Sequence, residues 1–115
     1  MMQTIVLGLI GTTKVSVIRR VTWKAIITFK IDANNNGEIE VSEVLLVRYL
    51  NVQNSNISDL TGIEYFTNLD ELRCEDNFIT ELDVTMLPDM KTLGVNNNNI
   101  TVLNIAGLSD LVNLY

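Results

Sequence analysis

Residues 69–82 read LDELRCEDNFITEL and residues 90–103 read MKTLGVNNNNITVL, and the two segments share one pattern. In each segment the first, fourth, sixth, eleventh and fourteenth positions are apolar, and the ninth is asparagine. Residues 47–60, VRYLNVQNSNISDL, repeat the pattern with Ser55 at the ninth position, and Leu111 opens a fourth unit. Successive units begin 22, 21 and 21 residues apart, so the sequence predicts stacked copies of one structural unit.

Within each unit, apolar and polar residues alternate over a few positions, as in a short β-strand with one buried face. Parallel strands of this kind bury one apolar column, and no unit can bury its apolar residues without its neighbours. Asn77 and Asn98 lie where the chain leaves the strand, and a side-chain amide there can bond backbone groups that the turn leaves unpaired. The apolar residues expected on the return paths are Leu60, Ile63, Phe66, Leu82, Val84, Leu87, Leu103, Ile105 and Leu108.

A second motif, DANNNGEIEVSE at residues 32–43, precedes the repeats. Calcium requires six to eight oxygen ligands, and a twelve-residue loop encloses the ion when oxygen-bearing residues stand at fixed positions and glycine provides a sharp turn at the sixth. Gly37 is that glycine. The candidate ligands are Asp32, Asn34, Asn36, Glu38 through its backbone carbonyl, Glu40 directly or through water, and Glu43 with both carboxylate oxygens.

Asn34 and Asn36 are neutral at positions that often carry a charge, so we expect weak calcium affinity, roughly 10⁻⁴–10⁻³ M. The alternative is an Asn-Gly turn with solvated acids and no metal. We prefer the calcium interpretation because a turn alone requires neither Ile39, which would anchor the loop to the core, nor Glu43. A single loop without a partner loop favours a structural ion over a calcium sensor.

The segment 41–49 carries Val44, Leu45 and Val47 at helical spacing, with Ser42 near its start. The spacing predicts a short helix that leaves the calcium loop. Such a helix would cover the apolar edge of the first repeat, as the terminal unit of a repeat protein must.

The repeats resemble the leucine-rich-repeat consensus L-x-x-L-x-L-x-x-N-x-L. A loop of the form DxNxNGEIxVSE that runs into NISDLTGIEYFTNL resembles the secreted leucine-rich-repeat proteins of Bacteroidetes-type bacteria, over residues 31–115. The resemblance implies an α/β fold: a short solenoid of about three full repeats with an EF-hand-like calcium loop and a capping helix at its N-terminal end. It also implies an extracellular or cell-surface location.

This organisation divides the chain into an N-terminal extension (1–30), the calcium loop and helix (31–49), and the repeats (50–115), the fourth of them truncated. Between residues 15 and 31 most odd positions are apolar, whereas even positions are mostly Thr, Ser, Lys and Arg. This period of two favours a strand, or weakly ordered chain, over an entering helix. Residues 1–14 lack the features of a secretory signal and are too short to span a bilayer.

Composition excludes several classes of function. The chain of 115 residues has 14 acidic and 8 basic residues and a net charge of −6, which disfavours nucleic acids and anionic membranes as partners. It has no histidine, which excludes imidazole catalysis and the usual zinc sites. The single cysteine, Cys74, falls in the apolar pattern and is interpreted as a small core residue rather than a nucleophile.

We therefore expect a non-enzymatic interaction module that binds a protein or glycan through the outward positions of its strands. Those positions are Tyr49, Asn51, Gln53, Glu71, Arg73, Glu75, Thr92, Gly94 and Asn96. The alternative is a structural spacer within a longer surface protein, which would tolerate charge reversal at Glu71, Arg73 and Glu75. We also expect self-association through the C-terminal end, where Leu111 and Leu114 begin an incomplete unit.

Overall fold

The computed structural model describes residues 3–5, 17–19 and 38–115. Its strands are β1 (Gln3–Ile5), β2 (Val17–Arg19), β3 (Ile39–Glu40), β4 (Tyr49–Asn51), β5 (Glu71–Arg73), β6 (Glu81–Asp83), β7 (Thr92–Gly94), β8 (Val102–Asn104) and β9 (Asn113–Leu114). The helix α1 covers Val41–Val44, and one 3-10 helix covers Ile63–Tyr65. Among the described residues no helix has the length and apolarity that a membrane span requires.

Three short strands form an antiparallel sheet ahead of the repeats, in the order β1-β2-β3. Ile18 of β2 pairs with Ile39 of β3 and with Thr4 of β1. The strand predicted from the alternating pattern is confirmed at Val17–Arg19. The rest of the segment 15–31 lies outside the described residues.

The helix that follows β3 is shorter than the sequence predicts. It ends at Val44 rather than continuing to Tyr49, which is the first residue of β4. The backbone tightens through bonds from the N–H groups of Leu46 and Val47 to carbonyls three residues earlier. The next carbonyl, that of Arg48, accepts bonds from the second repeat and so belongs to the parallel sheet. The helix ends early because the chain from Arg48 onward pairs with that sheet.

One strand from each repeat enters a four-stranded parallel sheet in the order β4-β5-β7-β9. The strands pair without offset between repeats, so Leu50 lies beside Leu72, Leu72 beside Leu93, and Leu93 beside Leu114. This confirms the predicted alignment of the units, in which equivalent residues of successive repeats are direct neighbours.

The opposite side of each repeat, between the turn asparagine and the next strand, is called the return side below. It contains a second parallel pair, β6 with β8, in which Leu82 lies beside Leu103. The first repeat has the 3-10 helix in its return path. The return-side apolar residues predicted from the sequence belong to, or pack against, the buried core cluster. The strands β6 and β8 themselves were not predicted.

A single buried cluster connects the N-terminal elements with the repeats. Ile39 of β3 and Val44 of α1 are almost fully buried and belong to the same cluster as Leu50, Leu72 and Leu93. Ile39 therefore anchors the end of the candidate calcium loop to the core, as predicted. The helix contributes to covering the first repeat despite its short length.

Candidate functional site

The outward strand positions of the repeats share one surface, called here the outer sheet face. It consists of Tyr49, Asn51, Gln53, Glu71, Arg73, Glu75, Thr92, Gly94 and Asn96, the same residues that the sequence predicts. The pairing of β4, β5 and β7 places Tyr49 beside Glu71 and Glu71 beside Thr92, while Arg73 lies between Asn51 and Gly94. Most of these side chains are exposed or half-buried, but Glu75 and Gly94 are buried.

Arg73 is the centre of a charged network on this face. Its Nε donates to Oε2 of Glu71 and its Nη1 donates to Oε2 of Glu75, both at 2.9 Å. The other oxygen of Glu75 accepts a bond of 2.8 Å from Nε2 of Gln53 in the first repeat. Because each of these side chains is held by another, the network has an ordered shape before any partner arrives.

Gly94 explains how Glu75 becomes buried. A Cβ placed on Gly94 would lie only 2.7 Å from Oε1 of Glu75, closer than real Cβ atoms approach, and closer still to the rest of the carboxylate. The Glu75 carboxylate therefore occupies the space that a side chain at residue 94 would need. Glycine is required here by close approach rather than by backbone conformation.

Because Gly94 has no side chain, the side chains of Arg73 and Tyr115 can contact each other above it. Arg73 pairs with Gly94, and Tyr115 directly follows Leu114, which pairs with Leu93. The guanidinium carbon of Arg73 lies 4.9 Å from the centre of the Tyr115 ring, a cation–π arrangement. Tyr115 thus belongs to the outer sheet face but was not predicted. Extending the repeat spacing beyond Leu114 would have found it.

The ionisation of Glu75 reflects competing influences. Burial alone would raise the pKa of its carboxyl group, but hydrogen bonds from Gln53, the backbone and Arg73 lower it below the ordinary value of 4.5. Glu75 is therefore an anion at neutral pH. The pKa of Arg73 is raised by its bonds to Glu71 and Glu75, so its guanidinium stays charged beside the Glu75 carboxylate.

The asparagine that ends each strand joins neighbouring repeats. Oδ1 of Asn77 accepts bonds of 2.9 Å from the N–H groups of Ser55 and Ile57, both in the preceding repeat. The carbonyl oxygens that face its Nδ2 belong to Val52, Cys74 and Glu75. Asn77 is buried, with 4% of its surface exposed. The predicted role of this side chain in satisfying turn backbone is confirmed.

Asn98 bonds the turn backbone between the second and third repeats in the same way, but it is only half-buried. Its Oδ1 accepts from the N–H of Ile79 at 2.9 Å, and its Nδ2 donates to carbonyls that include those of Cys74 and Val95 at 3.0 Å. The residue before each turn asparagine, and before Ser55 in the first repeat, has a left-handed backbone that the repeat pattern did not predict. These residues are Asn54, Asp76 and Asn97, and recurrence of Asn or Asp at this position was the available signal.

The structure describes only part of the candidate calcium loop. Asp32, Asn34 and Asn36 lie outside the described residues, whereas Glu38 is half-buried and Glu40 and Glu43 are buried. Oε1 of Glu43 accepts a 3.0 Å bond from the N–H of Glu40, which is the N-cap of α1. Each carboxylate oxygen has two lone pairs, so a bond of this kind orients Glu43 without using up its capacity to bind a cation.

Within the part of the chain that the structure describes, no group of three or more acidic, cysteine or histidine side chains is arranged to hold a metal. Half of the six candidate ligands are outside that part, and Glu38 is expected to contribute a backbone carbonyl. Glu38, Glu40 and Glu43 stand at the sequence positions that the motif requires, and the N–H of Glu40 holds Glu43 in one orientation.

Cys74 has no feature of a catalytic nucleophile. It is fully buried, and its Sγ lies 3.2 Å from the carbonyl oxygen of Gly94. Burial, with a further contribution from the charge of Glu75, raises the pKa of the thiol to about 12. The thiol therefore stays protonated at neutral pH and packs as a small core residue, as predicted.

Comparison with known proteins supports the fold assignment. The chain is similar to a solved structure of the functional domain of InlJ from Listeria monocytogenes, described as including a cysteine ladder, with 33% sequence identity and a TM-score of 0.64. The similarity covers 66% of this chain and 17% of that one. No protein-family model matches the sequence, and no curated protein matches it either.

These findings support an α/β repeat fold that resembles a leucine-rich repeat, a class generally associated with protein interaction rather than catalysis. This chain spans about a sixth of the InlJ structure that it matches. Its single cysteine, Cys74, has Val52 and Val95 as neighbours in the stack, so the chain forms no cysteine ladder of its own.

Proposed function

We propose that this chain is a non-enzymatic interaction module, a short leucine-rich-repeat solenoid that binds a protein or a glycan through its outer sheet face. The observation that carries the proposal is the ordered network of Gln53, Glu71, Arg73 and Glu75, which crosses from the first repeat to the second and contacts Tyr115 of the fourth. Side chains that are already ordered lose less conformational entropy when a partner binds.

The composition of the face supports this role. Tyr49 and Tyr115 expose about half of their surface at opposite edges of the sheet, and tyrosine and arginine are enriched among residues that dominate binding energy. Amide side chains such as Asn51 and Asn96 add hydrogen-bonding groups between and beside these aromatic residues.

A structural calcium ion is the second part of the proposal. Asp32, Asn34, Asn36, Glu38, Glu40 and Glu43 would hold the ion, and it would supply a positive charge that orders the loop before α1. The orientation of Glu43 by the backbone of Glu40 supports this assignment, because it fixes the side chain at the closing position of the loop. The resemblance to secreted bacterial repeat proteins supports a location outside the cell or on its surface.

The alternative function is a spacer within a longer surface protein, with no ligand of its own. Charge reversal at Glu75 cannot separate the two functions, because Glu75 is buried and its loss would disturb the fold itself. Tyr49 is a better probe, because 55% of its surface is exposed.

A crosslinking experiment with surface and secreted extracts tests the proposal. A module should crosslink to a defined partner through β4, β5 and β7, and Tyr49→Ser should reduce the yield of that crosslink. The matched control is Met86→Ser on the return side, where 61% of the residue is exposed and no loss is expected. Crosslinks that survive Tyr49→Ser but are lost with Met86→Ser would reject the outer sheet face as the binding surface.

A further inference from the structure

The distribution of charge along the chain is strongly uneven. Residues 38–115 hold 13 of the 14 acidic residues and only three of the eight basic residues. The three are Arg48, Arg73 and Lys91, and each lies in a strand of the parallel sheet or directly before one. The repeats therefore produce a negative field outside the sheet, and a field of one sign attracts partners of the opposite sign.

Two of these three basic residues are already paired. Arg48 donates to both carboxylate oxygens of Asp70, with an ion-pair distance of 3.1 Å. Arg73 is shared by Glu71 and Glu75, so this central cluster of three charges is negative overall. Lys91 lies at the margin of the face, one residue before β7. The centre of the outer sheet face thus presents a net negative charge to a partner.

Glu71 is the acceptor that a partner can reach. About a third of its side chain, 32%, is exposed, whereas only 9% of the Glu75 side chain is. The bond from Arg73 involves Oε2 of Glu71, and a carboxylate can accept further bonds at its other lone pairs. Glu71 also lies beside Tyr49, whose exposed ring can pack on the aliphatic stem of a lysine or arginine.

We infer that the partner of the outer sheet face is a protein segment that presents lysine or arginine side chains, with Glu71 as their main acceptor. This inference rests on the proposed function. A cationic segment would be drawn by the field of the repeats and would meet the negative cluster at the centre of the face. An anionic glycan would be repelled by the same charges, and a neutral glycan would gain nothing from them.

The return side is also acidic but is less suited to this role. The acidic residues there are Asp59, Glu64, Glu81, Asp83, Asp89 and Asp110. Asp59 and Asp83 already use Oδ1 to accept bonds from the backbone of Thr61 and Thr85. No aromatic–arginine cluster like that of the outer sheet face is found among the described return-side residues.

Selection from a library of random twelve-residue peptides displayed on phage tests the inference with the intact chain. The selected peptides are synthesised, and their affinity is measured for the wild-type chain and two variants. Glu71→Gln removes one charge but keeps an acceptor for Arg73. Glu81→Gln is the matched control, because Glu81 opens β6 as Glu71 opens β5. Circular dichroism melts confirm that both variants fold.

The expected result is enrichment of lysine and arginine in the selected peptides, an affinity loss of about tenfold with Glu71→Gln, and no loss with Glu81→Gln. Peptides that bind the outer sheet face but lack basic residues would overturn the inference and leave the proposed function standing. Binding that depends on Glu81 and not on Glu71 would overturn both. Binding of a neutral or anionic polysaccharide that is lost in Glu71→Gln, with no peptide selected, would assign the face to glycans instead.

Discussion

At the scale of single residues, the turn asparagines and the pair Glu75–Gly94 stabilise the contacts between repeats. Each of them contacts a neighbouring repeat, and the asparagines also bond backbone carbonyls of their own repeat. Asn77 bonds the backbone of the first repeat, and Glu75 fills space beside Gly94 of the third. Their effects can therefore be measured as coupling between repeats.

We predict that Asn77→Ala lowers the free energy of unfolding by about 3 kcal/mol and Asn98→Ala by about 1–3 kcal/mol, because buried backbone groups lose their partners. The loss at Asn77 is larger because this residue is more deeply buried and bonds more groups. Urea denaturation measures both values. Asn96→Ala, at an exposed position, is the control and should change stability by less than about 0.5 kcal/mol. Equal losses of stability for all three variants would contradict the assigned role of Asn77 and Asn98 in bonding the turn backbone.

Gly94→Ala should destabilise the chain by about 1–3 kcal/mol, because the added methyl group displaces the Glu75 carboxylate from its site. In a Glu75→Ala background the same substitution should cost much less, since the space is already vacant. A double-mutant cycle in urea gives the coupling directly. Additive effects of the two substitutions would show that Glu75 and Gly94 do not compete for this space.

Stability should also depend on the charge of Glu75. Its pKa in the folded chain lies below the ordinary value of 4.5, so the folded state favours the anion. The resulting stabilisation is complete above about pH 5 and is lost as pH falls through the lower, folded pKa. Urea denaturation from pH 7 to pH 3 should therefore show a decline that is shallower in Glu75→Gln. Parallel pH profiles for the two proteins would reject this role.

At the scale of elements, the sequence predicts the repeat, the strands of the four-stranded sheet and the core, because the apolar spacing repeats with little change, but it does not predict β6 and β8. The role of Asn77 in bonding the turn backbone follows from the same spacing. The burial of Glu75 does not follow from the spacing, because its carboxylate occupies the space that a side chain at Gly94 of the next repeat would need. The early end of α1 at Val44 was also missed, because helical spacing continues to Val47 while sheet pairing already requires Arg48.

The candidate calcium loop gives a prediction at this scale. Calcium at ten times its dissociation constant should stabilise the folded chain by about 1.4 kcal/mol, which raises the melting temperature by a few degrees. Glu43→Gln should abolish most of this shift while retaining an acceptor for the N–H of Glu40. Thermal melts in millimolar calcium and in EDTA measure the effect. Identical melting temperatures in the two conditions would reject the ion.

At the scale of the whole molecule, burial decreases toward one end of the repeat stack. Leu72 and Leu93 are fully buried in the apolar column, but Leu114 in the edge strand β9 is 48% exposed. An edge strand with exposed apolar residues favours pairing with another chain. For a polypeptide of residues 1–115 we predict concentration-dependent self-association in sedimentation equilibrium, weakened by Leu114→Lys. A monomer over a hundredfold range of concentration would contradict this prediction.

The small area of the four-stranded parallel sheet limits how tightly the outer sheet face can hold a partner. The face is about 16 Å long from Tyr49 to Gln53 and its strands lie about 4.8 Å apart, so four strands give a plan area of roughly 300 Å², whereas a stable complex buries about 800 Å² on each side. Contact with the strands alone therefore supports only weak, rapidly reversible attachment. Firm attachment requires further contacts outside these four strands or several binding sites acting together, in which case the spacing between sites would determine avidity.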